Sequence, residues 1–95
     1  QRAAIAQACV RFGVARLDIF GSAFRDDFRP GVSDLDLLVD FSSMTPHDLV
    51  DAYFGLRDEL RAVLAVEVAL VMVGAVKNRF IAADIERTKQ MFYAA

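Results

Sequence analysis

The spacing of apolar residues at the start of the chain changes from a helical period to a strand period. Residues 2–12 have apolar side chains at intervals typical of one helix face, and Gly13 follows where helices commonly end. The segment Val14–Phe20 then alternates with a period of two and predicts a strand. Charged residues together with a proline and a glycine predict a short helical turn and then a loop over Ala23–Val32.

The next part of the chain predicts a strand followed by a long helix. Leu35–Phe41 is rich in Leu and Val, which indicates a largely buried strand. Thr45 before Pro46 is typical of a helix start, and Asp48 is the acidic partner expected in the first turn. The apolar spacing continues this helix to about Ala62.

The remaining residues predict a third strand over Val66–Val73 and a final helix capped by Asn78. Lys89–Ala95 either extends that helix or forms a short terminal strand. Strands interleaved with helices predict an α/β (α+β) fold, in which the helices pack on one face of a small mixed β-sheet. We expect residues 1–95 to form a single domain.

Composition excludes several classes of protein. The 95 residues carry a net charge of −2, so the basic excess typical of nucleic-acid-binding surfaces is missing and strong DNA or RNA binding is not expected. The single cysteine, Cys9, cannot form an internal disulfide, which favours a cytoplasmic location. The longest apolar stretch, Val63–Val76, contains Glu67 and is too short to span a bilayer.

Asp34 and Asp36 form the first candidate site. Side chains two positions apart on a strand point to the same face, so the two carboxylates should lie together. Paired carboxylates repel each other unless a cation lies between them, and magnesium bound with substrate phosphates is commonly held in this way. Two solvated aspartates on an exposed strand are the alternative.

Gly21 and Ser22, directly after the first predicted strand, form the second candidate site. A glycine lets backbone amides approach phosphate oxygens closely, and the serine hydroxyl is a further donor. An ordinary strand-to-helix turn is the alternative. Together with the aspartate pair, however, the turn predicts a site for nucleotide phosphates and magnesium.

The chain resembles the minimal nucleotidyltransferases of the DNA polymerase β-like superfamily. The resemblance rests on the Gly21-Ser22 turn, on Arg25, on a Pro-Gly loop and on the segment Ser33–Val39, and it extends over nearly the whole chain. Relatives of this size commonly stand beside a helical HEPN partner protein in prokaryotic toxin–antitoxin pairs. The resemblance therefore implies a nucleotidyltransferase fold and a HEPN-family partner.

The resemblance also implies the roles of individual residues. Gly21 and Ser22 would bind the triphosphate, and Asp34 and Asp36 would be catalytic ligands of Mg²⁺. Further nucleotide contacts are implied for Arg25 and Ser33.

One position departs from the family pattern. A third carboxylate is expected on the next strand, and the gapless match places Ala69 there. Glu67 lies two residues earlier, so it would point from the same strand face and is a substitute candidate. A solvated glutamate at the start of the strand is the alternative.

Three functions remain open on these grounds. The first is transfer of a nucleoside monophosphate, AMP foremost, from a triphosphate to an acceptor hydroxyl, such as a tyrosine of a HEPN toxin, with the domain acting as antitoxin. The second is a catalytically impaired module that binds nucleotide or partner and acts by stoichiometric contact, which Ala69 favours. The third is a homo-oligomer formed through apolar helix faces.

Overall fold

A computed structural model describes residues 2–21 and 34–95 of the protein. The turn and loop predicted over Ala23–Val32 lie outside these residues. The described elements are α1 (Arg2–Arg11), β1 (Val14–Phe20), β2 (Leu35–Phe41), α2 (Pro46–Leu64), β3 (Val68–Met72), α3 (Arg79–Thr88) and β4 (Gln90–Ala94).

Helix boundaries follow the local signals in the sequence. The Thr45 hydroxyl accepts a hydrogen bond from the Asp48 N–H, which confirms the predicted start of α2. α2 runs to Leu64 and ends where Ala65 adopts a left-handed conformation, with φ 57°. Asn78 caps α3 as predicted, because its side chain accepts from two amides of the first helical turn.

The sheet has four strands in the order β3-β2-β1-β4. β1 pairs antiparallel with both β2 and β4, whereas β2 and β3 are parallel. β3 spans Val68–Met72 and is shorter than predicted. The end of the chain, for which helix and strand were both open, forms β4, whose backbone groups pair with β1.

Helices cover both faces of this mixed sheet. α1 and α2 pack on the face that carries Leu17, Leu37 and Val39, and together they form the main core. α3 lies against the opposite face, where Ile85 packs on Phe20 and Leu38. The prediction that helices pack on one face thus holds for α1 and α2 but not for α3, because Phe20 and Leu38 form an apolar patch on the opposite face that Ile85 covers.

No helix within residues 2–21 and 34–95 is long and apolar enough to cross a membrane.

Candidate functional site

Gly21 ends β1 beside the carboxylate of Asp36. Its φ of +72° lies in the left-handed region, which glycine adopts without strain. A Cβ placed on Gly21 would lie 2.6 Å from Oδ2 of Asp36 and 3.3 Å from its Cγ. Conformation and space therefore both require a residue without a side chain here.

α3 holds the backbone of Gly21 in place. The Gly21 N–H donates to Oγ1 of Thr88 at 3.3 Å, and the Thr88 hydroxyl donates to the carbonyl oxygen of Asp84 at 2.9 Å. The amide of Gly21 is thus already engaged within the protein. The missing side chain leaves space that the carboxylate of Asp36 occupies.

Asp36 lies on the face of the sheet that α3 covers. It is half-buried and pairs with Phe20 on β1, while the exposed Asp34 directly precedes β2. Within residues 2–21 and 34–95, no group of three or more His, Cys, Asp or Glu side chains is arranged to hold a metal ion. Binding of a metal ion by Asp34 and Asp36 stays a prediction.

Ala69 is the register partner of Asp36 on the neighbouring parallel strand. Paired residues of adjacent strands share a face of the sheet, so the methyl group of Ala69 lies beside the Asp36 side chain. The position next to Asp36 where β3 could offer a carboxylate is occupied by a methyl group.

Glu67 lies just before β3, and its carboxylate is bound to α2. The Arg61 Nη2 lies 2.9 Å from Oε1 and 3.0 Å from Oε2 of Glu67. The Glu67 side chain is 65% exposed, so this ion pair stabilises the fold little. It nevertheless holds the carboxylate at the guanidinium of Arg61 on α2, which packs on the face of the sheet opposite Asp36.

Gly21 and Asp36 line a cleft of about 470 Å³ between the sheet and α3. This volume is within the range of small-molecule sites. The cleft is lined on the α3 side by Phe80, Ile81 and Asp84. Ser22, Arg25 and Ser33, which were predicted to contact nucleotide, lie outside the described residues.

Thr88 and Asp84 are residues that the sequence did not single out. No local sequence pattern indicates that Thr88, in the last turn of a helix, accepts a hydrogen bond from Gly21, which lies 67 positions away. Asp84 also carries an ion pair with Arg87, which is a common arrangement on helix surfaces. Only the packing of α3 on the sheet brings Thr88 to Gly21 and Asp84 to the cleft.

Cys9 is buried in the main core, and burial raises the pKa of its thiol to about 11. It therefore stays protonated at neutral pH and is not a nucleophile.

The chain belongs to the nucleotidyltransferase domain family, whose family model matches residues 2–91. A candidate protein adenylyltransferase of Methanocaldococcus jannaschii is 40% identical over 76 residues, which are 80% of this chain and 74% of that protein.

Solved structures share the fold. A chain of a toxin–antitoxin complex with AMP-PNP superposes with a TM-score of 0.72 at 15% identity, over 100% of this chain and 74% of that one. A chain from the complex of a tri-AMPylated Shewanella oneidensis HEPN toxin with its MNT antitoxin superposes with a TM-score of 0.58 at 14% identity, with the same coverage. At these identities the likeness shows the fold alone.

Proposed function

We propose that the domain binds a nucleoside triphosphate with magnesium at Gly21, Asp34 and Asp36 and transfers its nucleoside monophosphate, AMP foremost, to an acceptor hydroxyl. Pyrophosphate is the leaving group. The observation that carries the proposal is the contact between Gly21 and Asp36, because it puts a backbone position without a side chain against a carboxylate that lines a cleft. The nucleotidyltransferase domain family supplies the reaction class.

Each residue has a distinct part in this proposal. Gly21 leaves room for the carboxylate of Asp36 against the backbone, where a larger residue would collide with it. Asp34 and Asp36 fit magnesium because it is a hard cation that prefers carboxylate oxygens and binds together with substrate phosphates. When bound, magnesium supplies neutralisation of the phosphate charge that develops during transfer.

For the acceptor we propose a hydroxyl, such as that of a tyrosine, on a helical HEPN-type partner. The support is by analogy: the HEPN toxin of Shewanella oneidensis is tri-AMPylated and bound to an MNT antitoxin, and the Methanocaldococcus relative is a candidate protein adenylyltransferase. Under this proposal the domain is an antitoxin that modifies its partner.

Ala69 favours a second candidate function, in which the domain binds nucleotide and partner but transfers AMP slowly. A third carboxylate beside Asp36 would organise a second metal ion, and a methyl group cannot do so. The carboxylate of Glu67 is paired with Arg61 in this arrangement, so it would have to leave this ion pair to replace the missing ligand. Neutralisation of the partner by stoichiometric contact would then dominate.

Calorimetry with ATP and Mg²⁺ tests the site. We expect binding that requires magnesium and that is lost in the Asp34→Asn, Asp36→Asn double variant. Asp40→Asn is the matched control, because Asp40 is an exposed aspartate at the far end of β2. Equal affinities of the wild type and the double variant would exclude the site.

The intact mass of a HEPN-type protein encoded beside this chain then separates the two functions. Addition of AMP in the presence of the wild-type domain supports transfer. Tight complex formation without a mass change supports stoichiometric contact.

A further inference from the structure

The first turn of α3 presents two large apolar side chains to solvent at the cleft. Phe80 is 75% exposed and Ile81 is 53% exposed, and both line the cleft that contains Gly21 and Asp36. Single exposed apolar residues are ordinary on protein surfaces. Two adjacent ones on the wall of a cleft that is also lined by Asp36 and Asp84 form an amphipathic site.

The backbone of this turn is not free to bind an anion. The Asn78 side-chain oxygen accepts hydrogen bonds from the N–H groups of Phe80 at 2.9 Å and Ile81 at 3.2 Å. These amides, which a phosphate at the helix start would need, are already satisfied. The turn therefore offers its apolar side chains to a ligand rather than hydrogen-bond donors.

α3 connects Gly21 with the exposed apolar residues of its own first turn. Thr88, in the last turn, holds Gly21 beside Asp36, whereas Phe80 stands in the first turn. Eight helical residues at 1.5 Å each separate them by about 12 Å along the helix axis. A ligand with a charged group at one end and a flat apolar group at the other, about this long, would reach from Gly21 to Phe80 past Asp84.

We propose that Phe80 and Ile81 form the subsite for the base of the nucleoside triphosphate. This inference rests on the proposed function, since it takes the phosphates to lie at Gly21 and Asp36. The Phe80 ring suits stacking on a base, because the Arg79 guanidinium lies 5.5 Å from its centroid and steadies the ring by a cation–π contact. Ile81 supplies an apolar contact beside it.

A comparison of two ligands tests the base subsite. Calorimetry measures the affinity of the full chain for ATP and for inorganic tripolyphosphate, each with Mg²⁺. We expect Phe80→Ala to weaken ATP binding roughly tenfold, as loss of one base–aromatic stack does, and to leave tripolyphosphate binding unchanged. Phe80→Tyr should retain the wild-type affinity for ATP, because a tyrosine ring stacks equally well.

Phe54→Ala is the matched control. Phe54 is likewise an exposed phenylalanine, 47% accessible, with the Arg57 guanidinium 4.9 Å from its ring centroid, but it lies on α2. We expect this variant to change neither affinity. Thermal unfolding should show that the exposed Phe80 side chain is not needed for folding.

The outcomes separate this inference from the function on which it rests. If Phe80→Ala weakens both ligands equally, or weakens neither, the base subsite is wrong while the phosphate site stands. If Phe80→Ala binds ATP normally and loses only AMP transfer to a partner, Phe80 contacts the acceptor and the subsite is again wrong. If the wild type binds neither ligand, the proposed function itself fails.

Discussion

Ala69 and Asp36 stand opposite each other on adjacent parallel strands, with their side chains on the same face of the sheet. The pairing places a methyl group where a carboxylate from β3 would lie beside the aspartate. It makes position 69 the most direct test of whether this domain is an efficient transferase.

We predict that Ala69→Asp increases the rate of AMP transfer at least tenfold, equivalent to about 1.4 kcal/mol of transition-state stabilisation. Without metal the new carboxylate should destabilise the protein, because it repels Asp36. Thermal unfolding with and without Mg²⁺ and ATP should therefore show a larger stabilisation by ligand than in the wild type.

Two variants complete this test. Ala69→Asn has a side chain of similar size without the charge and should give neither effect. Glu67→Gln should leave the wild-type rate unchanged, because the Glu67 carboxylate is bound by Arg61. A wild-type rate that is already high and falls in Glu67→Gln would instead assign the ligand role to the glutamate.

We predict that Gly21→Ala impairs both folding and binding. A non-glycine residue at φ +72° costs roughly 1–2 kcal/mol, and the new methyl group would displace the carboxylate of Asp36. Gly74→Ala is the matched control, since Gly74 has φ +87° but no atom within 4 Å of an added Cβ. Both variants should lower the free energy of unfolding in urea, but only Gly21→Ala should also weaken binding of ATP with Mg²⁺. Equal ATP affinities would show that the turn is purely structural.

We predict that Thr88 acts on binding through Gly21. Thr88→Val removes the acceptor of the Gly21 N–H and should lower the free energy of unfolding by about 1 kcal/mol. Since this hydrogen bond holds Gly21 beside Asp36, affinity for ATP should fall several-fold in calorimetry. Thr88→Ser retains the hydroxyl and should restore both quantities. A loss of affinity that serine does not restore would contradict this role.

We predict an alkaline loss of stability that depends on Cys9. Burial raises the pKa of the thiol from 9.0 to about 11, so the folded protein keeps a proton that the unfolded chain releases in that range. Stability from this group is complete below about pH 9 and is lost as the pH rises towards 11. Between about pH 8 and pH 10.5 the wild type should lose roughly 2 kcal/mol more than Cys9→Ala in urea unfolding. Parallel pH profiles of the two proteins would refute the assignment.

The sequence by itself predicted the elements whose signals are local. The start of α2 at Thr45 and the cap of α3 at Asn78 depend on hydrogen bonds within one helical turn. The period of two in Val14–Phe20 and the apolar run of Leu35–Phe41 predicted β1 and β2 to the residue. These patterns are readable because they involve neighbours in the chain.

Local sequence patterns predicted the candidate site only in part. The sequence predicted Gly21 and Asp36 as candidates, and the register of β2 with β3 pairs Ala69 with Asp36. It did not predict that Gly21 and Asp36 touch, because that contact depends on the antiparallel pairing of β1 with β2. The roles of the two residues in binding nucleotide, and the replacement of a family carboxylate by Ala69, stay predictions.

Only the tertiary structure decided where the last part of the chain lies. α3 carries one fully buried apolar residue, Ile85, so its pattern could not show which face of the sheet it covers. Gln90–Ala94 is at most half-buried and became a strand because its backbone pairs with the free edge of β1. Because α3 packs on the face of the sheet that carries Asp36, Thr88 in its last turn lies beside Gly21 and Phe80 in its first turn lines the cleft. The local sequence cannot predict these contacts, since they depend on which face of the sheet the helix covers.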